Sequence, residues 1–538
     1  MAASSPTHPD TSRNDRASFC KTVSHLIVGT PVRLRTGHPD TLIHDVIEDS
    51  RAVGAGSLFV ARRGGDADGR SFVPQAIECG AVAILTDDEQ LNLPGGHSEV
   101  CVLHAQPDLF AQATADVAER FFGHPSSRLT LIGITGTNGK TTIAHLLQQM
   151  LDHAGLIGTV CIHDGVQTAR SVLTTPFAID LSRTLARMVA NQCRFCAMEV
   201  SSHALDQGRV AGLRFHAGVF TNLTGDHLDY HGDMEHYAAA KARLFAALPP
   251  SGVAVVNVSD PASSTMLAEC RARTVLACRL ADGSPALRLE MPAEATVYEC
   301  TAQVCTADPT GCDIRLHGPW DQTEPIETRL PLIGAHNVIN ALQAAAIAWF
   351  YHVEPSIIRE RLASCTATPG RLERVACRRD DLPFTVYVDF AHTDDALNTV
   401  LRSVRSVMGA NGGSDGSQRL VVLFGCGGDR DRTKRPRMAA AACQWADVVW
   451  VTSDNPRTED PQAIVNDVCT GIPEGSTGPT VHVEVDRTSA IKQCIAAAQP
   501  GDVIVIAGKG HEDYQIIGKT KYPFSDHDIA HQAMMERP

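Results

Sequence analysis

No apolar run in this chain approaches the roughly 18 residues that a membrane-spanning helix needs. Residues 1–16 are polar and lack the apolar core of a secretory signal, so a disordered lead-in is expected there. An excess of positive charge is also missing. The 47 lysines and arginines are outnumbered by 61 aspartates and glutamates, a formal net charge of −14, which argues against nucleic acid or an anionic membrane as partner. No internal repeat is present, and no second C-x-x-C pair accompanies Cys193-Arg-Phe-Cys196. The 17 cysteines, an odd number scattered through apolar segments, read as reduced thiols of a cytoplasmic protein rather than as a disulfide or zinc framework.

What is there is an ordinary globular composition, 43% hydrophobic and 20% charged. At 538 residues the chain is too long for one core, and about three domains are expected. Strand-like and helix-like segments alternate nearly throughout, which predicts an α/β protein with mainly parallel sheets. A small α/β unit is expected over residues 17–107, a central unit over 108–366 and a third over 367–538. In the third, residues 386–390, 420–424, 448–451 and 503–507 are four candidate strands, and residues 409–417 form a glycine/serine loop.

The most informative stretch is Thr135-Gly-Thr-Asn-Gly-Lys-Thr-Thr142. An apolar run over residues 129–134 predicts a buried strand leading into it. A helix is predicted to follow, with Ile143, Leu146, Leu147, Met150, Leu151 and Ala154 on one face and Gly155 as its C-terminal stop. Strand, glycine loop and helix N-terminus together make an anion site, with Lys140 and the Thr141 hydroxyl at its mouth. Gly136, Thr137, Asn138, Gly139, Lys140, Thr141 and Thr142 therefore read as a triphosphate cradle, although Ile134 replaces the first glycine of the strict P-loop pattern.

Two later strand tips stand out, since ligands of open parallel sheets gather at the carboxyl ends of strands. One runs into Glu199-Val-Ser-Ser-His203 and the other into Thr221-Asn-Leu-Thr-Gly-Asp-His-Leu-Asp-Tyr-His-Gly232. A triphosphate calls for magnesium with hard oxygen ligands, which Thr141 and Glu199 can supply. His227 and His231 have helical zinc spacing, but H-E-x-x-H is absent and their surroundings read as a loop.

These motifs, with His236-Tyr-Ala-Ala-Ala-Lys241, Gly334-Ala-His-Asn-Val-Ile-Asn-Ala341, Gly370-Arg-Leu-Glu373 and Val388-Asp-Phe-Ala-His392, resemble the ATP-dependent Mur ligases of peptidoglycan synthesis. The resemblance spans nearly the whole chain. It implies a uridine-binding first domain, a central P-loop-type ATPase domain and a Rossmann-like third domain. It also implies that ATP phosphorylates a substrate carboxylate and that an amine then displaces phosphate. In that scheme Lys140, Lys241 and His227 are catalytic. Thr141, Glu199, His227 and Lys241 serve magnesium, Lys241 after carbamylation to N6-carboxylysine, whereas its own pattern reads only as a surface lysine. Asn337, Arg371 and Asp389 lie near ATP.

Within the family, Asp454-Asn-Pro-Arg457 points to meso-diaminopimelate as the incoming amino acid and UDP-N-acetylmuramoyl-L-alanyl-D-glutamate as its acceptor. Matching positions for the acceptor are Ser50, Gly65, Asp66, Ala67, Thr174, Thr175, Ser201, Gln207 and Arg209. For diaminopimelate they are Arg430, Asp454, Asn455, Pro456, Arg457, Gly508 and Glu512. Diaminopimelate differs from lysine by a distal carboxylate, and a bidentate arginine such as Arg457 is the natural partner for it. A soluble, monomeric enzyme is expected. A lysine-adding ligase, a folylpolyglutamate-synthetase-like ligase and a nucleotide-gated scaffold without ligase activity are the alternatives.

Overall fold

The computed structural model describes residues 19–63, 68–93, 97–283, 294–320, 324–377, 382–409, 418–473 and 478–537. The expected lead-in and most of the glycine/serine loop lie outside them. Three large sheets follow one another along the chain, beside two two-stranded ones, among the described residues. The first has five strands, and its centre is the fully buried run Ser57–Ala61 beside Ala81–Thr86. Helix Phe110–Phe121 closes this core with Ala113, Val117, Ala118 and Phe121, and reaches Ile179 and Ala186 of helix Ala178–Ala190.

The second sheet has eleven strands, parallel at its centre and antiparallel at both ends. Strand Thr130–Thr135 sits in the middle, paired in parallel with Phe195–Glu199 on one side and Ala217–Phe220 on the other. Such strands are buried on both faces, which is why they read as unbroken apolar runs. The register sets Glu199 opposite Ile134, and Phe220 opposite Thr135. Both strands thus end level with the start of the glycine loop, so the segments that follow them, 200–203 and 221–222, start beside it. Helix Ala335–Phe350 covers this sheet and packs on helix Lys140–Met150.

That helix is shorter than its apolar period suggests. It ends at Met150, and Ala154 and Gly155 open the buried strand Ala154–Ile157 instead. Gly155 is not a helix stop. A Cβ there would lie 2.5 Å from the Met188 sulfur, so the glycine lets helix Ala178–Ala190 lie against the strand. The segment after His227 also departs from its loop reading, with one helical turn at Leu228–His231.

The third sheet has six strands, and the four expected ones form its parallel core: Thr385–Asp389, Val503–Ala507, Leu420–Cys426 and Val448–Ser453. The edge strands Glu373–Arg374 and Thr480–Val483 are short and largely exposed, so no apolar pattern announces them. A hairpin, Tyr514–Ile517 with Thr520–Pro523, follows the last core strand. Burial continues from the middle sheet into the third, and Tyr387 donates to the carbonyl of Pro309 across the seam.

Candidate active site

The glycine loop is built by backbone. Gly136 and Gly139 hold φ of 144° and 85°, and a Cβ on Gly136 would lie 1.9 Å from Thr221 Oγ1. The second strand tip locks the loop: Thr137 N donates to Asn222 O, Asn138 N to Asn222 Oδ1, and Thr221 Oγ1 to Asn138 O. Lys140 folds back, its Nζ donating to the carbonyls of Gly136 and Thr137 at 2.9 and 2.8 Å. Burial lowers its pKa, partly offset by Glu199, while Arg371 adds to the lowering.

Glu199 is fully buried beneath this loop. Its Oε2 accepts from Thr141 Oγ1 at 3.0 Å and Thr159 Oγ1 at 3.1 Å, and its Oε1 accepts from Thr159 N at 2.7 Å. A Cβ at Gly158 would come within 2.4 Å of that Oε1, so the glycine keeps room beside the carboxylate. Among the described residues no group of three or more His, Cys, Asp or Glu could hold a metal alone. One carboxylate and one hydroxyl beside a phosphate cradle do fit magnesium, which takes its remaining oxygens from phosphate and water.

Lys241 is no surface lysine: it is 1% exposed on helix Met234–Ala246. Its Nζ donates to Gly136 O at 3.0 Å and sits 4.2 Å above the Tyr237 ring. Burial, reinforced by Lys140, pushes its pKa down to about 6. His227 is exposed and left-handed at φ 54°, with its ring 4.8 Å from that of His203 and 6.2 Å from that of Tyr237. Tyr237, whose hydroxyl pairs with Thr137 Oγ1 at 3.2 Å, thus lies between His227 and Lys241 and was not singled out from the sequence.

Three segments of the expected acceptor site do converge beside Glu199. Thr175 Oγ1 donates to the Glu199 carbonyl and accepts from Ser201 N, and Thr174 Oγ1 pairs with Thr159 Oγ1. Arg209 donates to Gln207 Oε1 and to the carbonyl of Thr175. A cavity of about 220 Å³ opens next to it, between the first and second sheets, with Arg62 and Arg209 4.0 and 4.4 Å from the Phe177 ring. Half-buried Glu48, its pKa raised chiefly by desolvation, also lines it. Arg62, Phe177 and Glu48 were missed because no local pattern marks them. Ser50 is buried in the first unit, 3.5 Å from Gln75, while Gly65, Asp66 and Ala67 lie outside the described residues.

Asn337 is buried near the cradle, linked through Asn340, whose Oδ1 would stand 2.7 Å from a Cβ on Gly139. Arg371 lies over the Phe390 ring. Asp389 uses both oxygens on backbone, accepting from Leu372 N and Ala391 N at 2.7 Å each, and so shapes the turn that presents Arg371. Burial raises its pKa.

The third sheet gathers a separate cluster at its strand ends. Arg457, left-handed at φ 51°, donates from Nη1 to Gly428 O at 2.7 Å. Its backbone is fixed by Ile516 and Gly518 of the hairpin. Arg430 is exposed on the same loop, and Arg457 and Arg430 flank Gly427. Asn455 Nδ2 donates to Glu512 Oε2 at 3.0 Å, and Lys509 binds both neighbourhoods from below. Arg435, fully buried, ties Glu459 and Asp467 under the Gly427 loop. Neither Lys509 nor Arg435 was predicted, and nothing in their spacing could have shown that they are internal.

Comparison with known proteins bears on this arrangement. Residues 134–348 match the Mur ligase middle domain, 370–510 the Mur ligase glutamate ligase domain, and 42–118 the Mur ligase family catalytic domain. A UDP-N-acetylmuramoyl-L-alanyl-D-glutamate--2,6-diaminopimelate ligase of Synechococcus elongatus is 41% identical over 95% of this chain and 98% of its own. The protein of that name from Geobacillus thermodenitrificans is 42% identical over 94% and 96%. A solved structure with that name superposes with a TM-score of 0.66 at 31% identity, covering 96% of this chain and 99% of that one. The fold is shared with a folylpolyglutamate synthase of Mycobacterium tuberculosis complexed with ADP and AMPPCP, at 21% identity, TM-score 0.53, 74% of this chain and 92% of that one.

Proposed function

The chain belongs to the Mur ligase family, and from that premise we propose how its residues serve an ATP-dependent, ADP-forming amide ligation. It adds meso-diaminopimelate to the D-glutamate carboxylate of UDP-N-acetylmuramoyl-L-alanyl-D-glutamate in peptidoglycan synthesis. The observation that carries this reading is identity above 40% across nearly the full length of relatives with that activity in their name. The γ-phosphoryl group of ATP passes to the carboxylate, the amine attacks the acyl phosphate, and the tetrahedral intermediate expels phosphate.

The chain's own part is placement and charge neutralisation. Loop amides from Gly139 to Thr142, beyond the two that Asn222 takes, hold the phosphates, and Lys140 turns from its carbonyls towards the transferred group. Thr141 and Glu199 hold magnesium, which when bound offsets the charge on the phosphates. Lys241 is buried, and its depressed pKa leaves the amine largely uncharged at neutral pH. That is the form that adds carbon dioxide, giving a carboxylate-like oxygen in place of a cation, with His227 beside it across Tyr237. Thr174, Thr175, Ser201, Gln207 and Arg209 orient the acceptor peptide. Asn337 and Arg371 complete the nucleotide site, and closure of the third domain keeps water from the acyl phosphate.

Arg457 and Arg430 take the distal carboxylate of diaminopimelate, and Asp454 and Glu512 its ammonium. The enzyme works in the cytoplasm as a monomer. No helix among the described residues is long and apolar enough to cross a membrane. The deciding measurement is phosphate release with the UDP-muramyl dipeptide, ATP and magnesium, comparing meso-diaminopimelate with L-lysine. Release is expected with the first and little with the second, and a preference for lysine overturns the choice of amine.

A further inference from the structure

Lys509 has a fully buried side chain, yet it lies in the one cluster that should meet the incoming amino acid. Gly508 and Gly510, at φ 120° and 52°, turn the chain so that the lysine between them points inward. A Cβ on Gly510 would lie 2.7 Å from Phe390, so the turn has no room for another residue there. Two of the three ammonium protons are spoken for, by Asn455 Oδ1 and the Tyr514 carbonyl, both at 2.9 Å. Two carboxylates stand close, Asp454 at 3.2 Å and Glu512 at 3.6 Å. Glu512 also accepts from Asn455, whereas buried Asp454 Oδ1 has no aligned hydrogen-bond donor. The nearby Arg487 is neutralised by its own bidentate partner Asp526. Among the described residues, Lys509 is therefore the one cation within 4 Å of both acids.

We propose that Lys509 is a positioning residue that sets the charge of the amino-acid site, holding Asp454, Asn455 and Glu512 and leaving their carboxylates one positive charge short. The distal ammonium of the substrate supplies that charge. The inference rests on the reading of this cluster as the diaminopimelate site. A lysine that merely braced the loop would give a different response to charge-balanced replacement.

The test is steady-state phosphate release by the full-length enzyme. Lys509→Met removes the cation that stands between Asp454 and Glu512, so the two like-charged acids repel each other out of position, and KM for meso-diaminopimelate is expected to rise about 30-fold. KM for ATP and for the UDP-muramyl dipeptide stays put. Asp454→Asn alone leaves one acid against two cations and also raises KM for the amine. The double variant, Lys509→Met with Asp454→Asn, restores the balance and is expected to bind the amine better than either single variant. If Lys509→Met does not fold, comparing the double variant with Asp454→Asn still decides. A double variant no better than Asp454→Asn, or a rise in all three KM values together, overturns the proposal. A wild-type enzyme that ignores meso-diaminopimelate removes the underlying reading itself, and this inference falls with it.

Discussion

The phosphate cradle and the amino-acid cluster occupy equivalent places, the carboxyl ends of parallel strands, but they are made of different material. The cradle is eight consecutive residues whose amides and helix terminus form the site, with a second strand tip locking it through Thr221 and Asn222. The cluster is assembled from three segments, 427–430, 454–457 and 508–512, whose side chains meet only because the third sheet sets their strands side by side. A triphosphate is the same in every enzyme, so rigid backbone suits it. The amine is what distinguishes one ligase from another, and side chains on separate loops can change singly.

Replacing Lys140 by methionine tests the cradle's half of that contrast and should have the largest effect. The amides remain, so KM for ATP is expected to change little. Loss of the one charge aimed at the transferred phosphoryl group should lower kcat by roughly 10²–10³. Steady-state phosphate release at varied ATP reads both quantities. If KM for ATP rises as much as kcat falls, the side chain rather than the backbone holds the nucleotide, and the contrast breaks.

Arg457→Lys tests the other half. A single ammonium cannot reproduce the planar fork that grips a carboxylate. The expected outcome is about a 100-fold loss in kcat/KM for meso-diaminopimelate, with lysine, which lacks the distal carboxylate, nearly unaffected. Competition between the two amines measures the narrowed preference. An unchanged ratio would move specificity away from Arg457 and onto Arg430 or the hairpin.

The same contrast explains what could be read without coordinates. The cradle was legible because its physics is local: an apolar strand, glycines at positive φ and a lysine at a helix start are adjacent in sequence. The strand that ends at Glu199 was legible for a related reason, since buried parallel strands announce themselves as apolar runs. The placement of Arg457 came from family resemblance, because a Pro-containing turn after a strand has many uses. Lys241, Lys509 and Arg435 could not be read as buried at all. A charged residue is normally outside, and only the partners that tertiary packing brings to it reverse that expectation. Gly155 failed differently. Its neighbours continue the helical apolar period, and only the Met188 contact shows that the glycine is needed in a strand.

The seam where the two regions meet supplies the smallest effect and a check on how firmly they are coupled. His145, on the cradle's helix, and His511, in the amino-acid cluster's turn, are both held at a pKa of about 4. Burial is the main cause for each. His145 is further lowered by His511, and His511 by Arg371 and Arg170, with Asp513 opposing weakly. A histidine in the unfolded chain protonates as pH falls through about 6.5, whereas in the folded protein these two stay neutral until about 4. The unfolded state therefore binds more protons across that window. The stabilisation is complete above the upper limit and is lost progressively as pH falls towards the lower one. Because both rings are partly accessible, the loss from pH 7 to pH 5 is expected to be on the order of 1 kcal/mol. For a chain of 538 residues that corresponds to a fall of about 1 °C in Tm. Calorimetry at the two pH values should show the fall in wild type and a smaller one in His511→Asn, which carries no titrating ring. An equal fall in both would mean that the seam does not sense protons through His511.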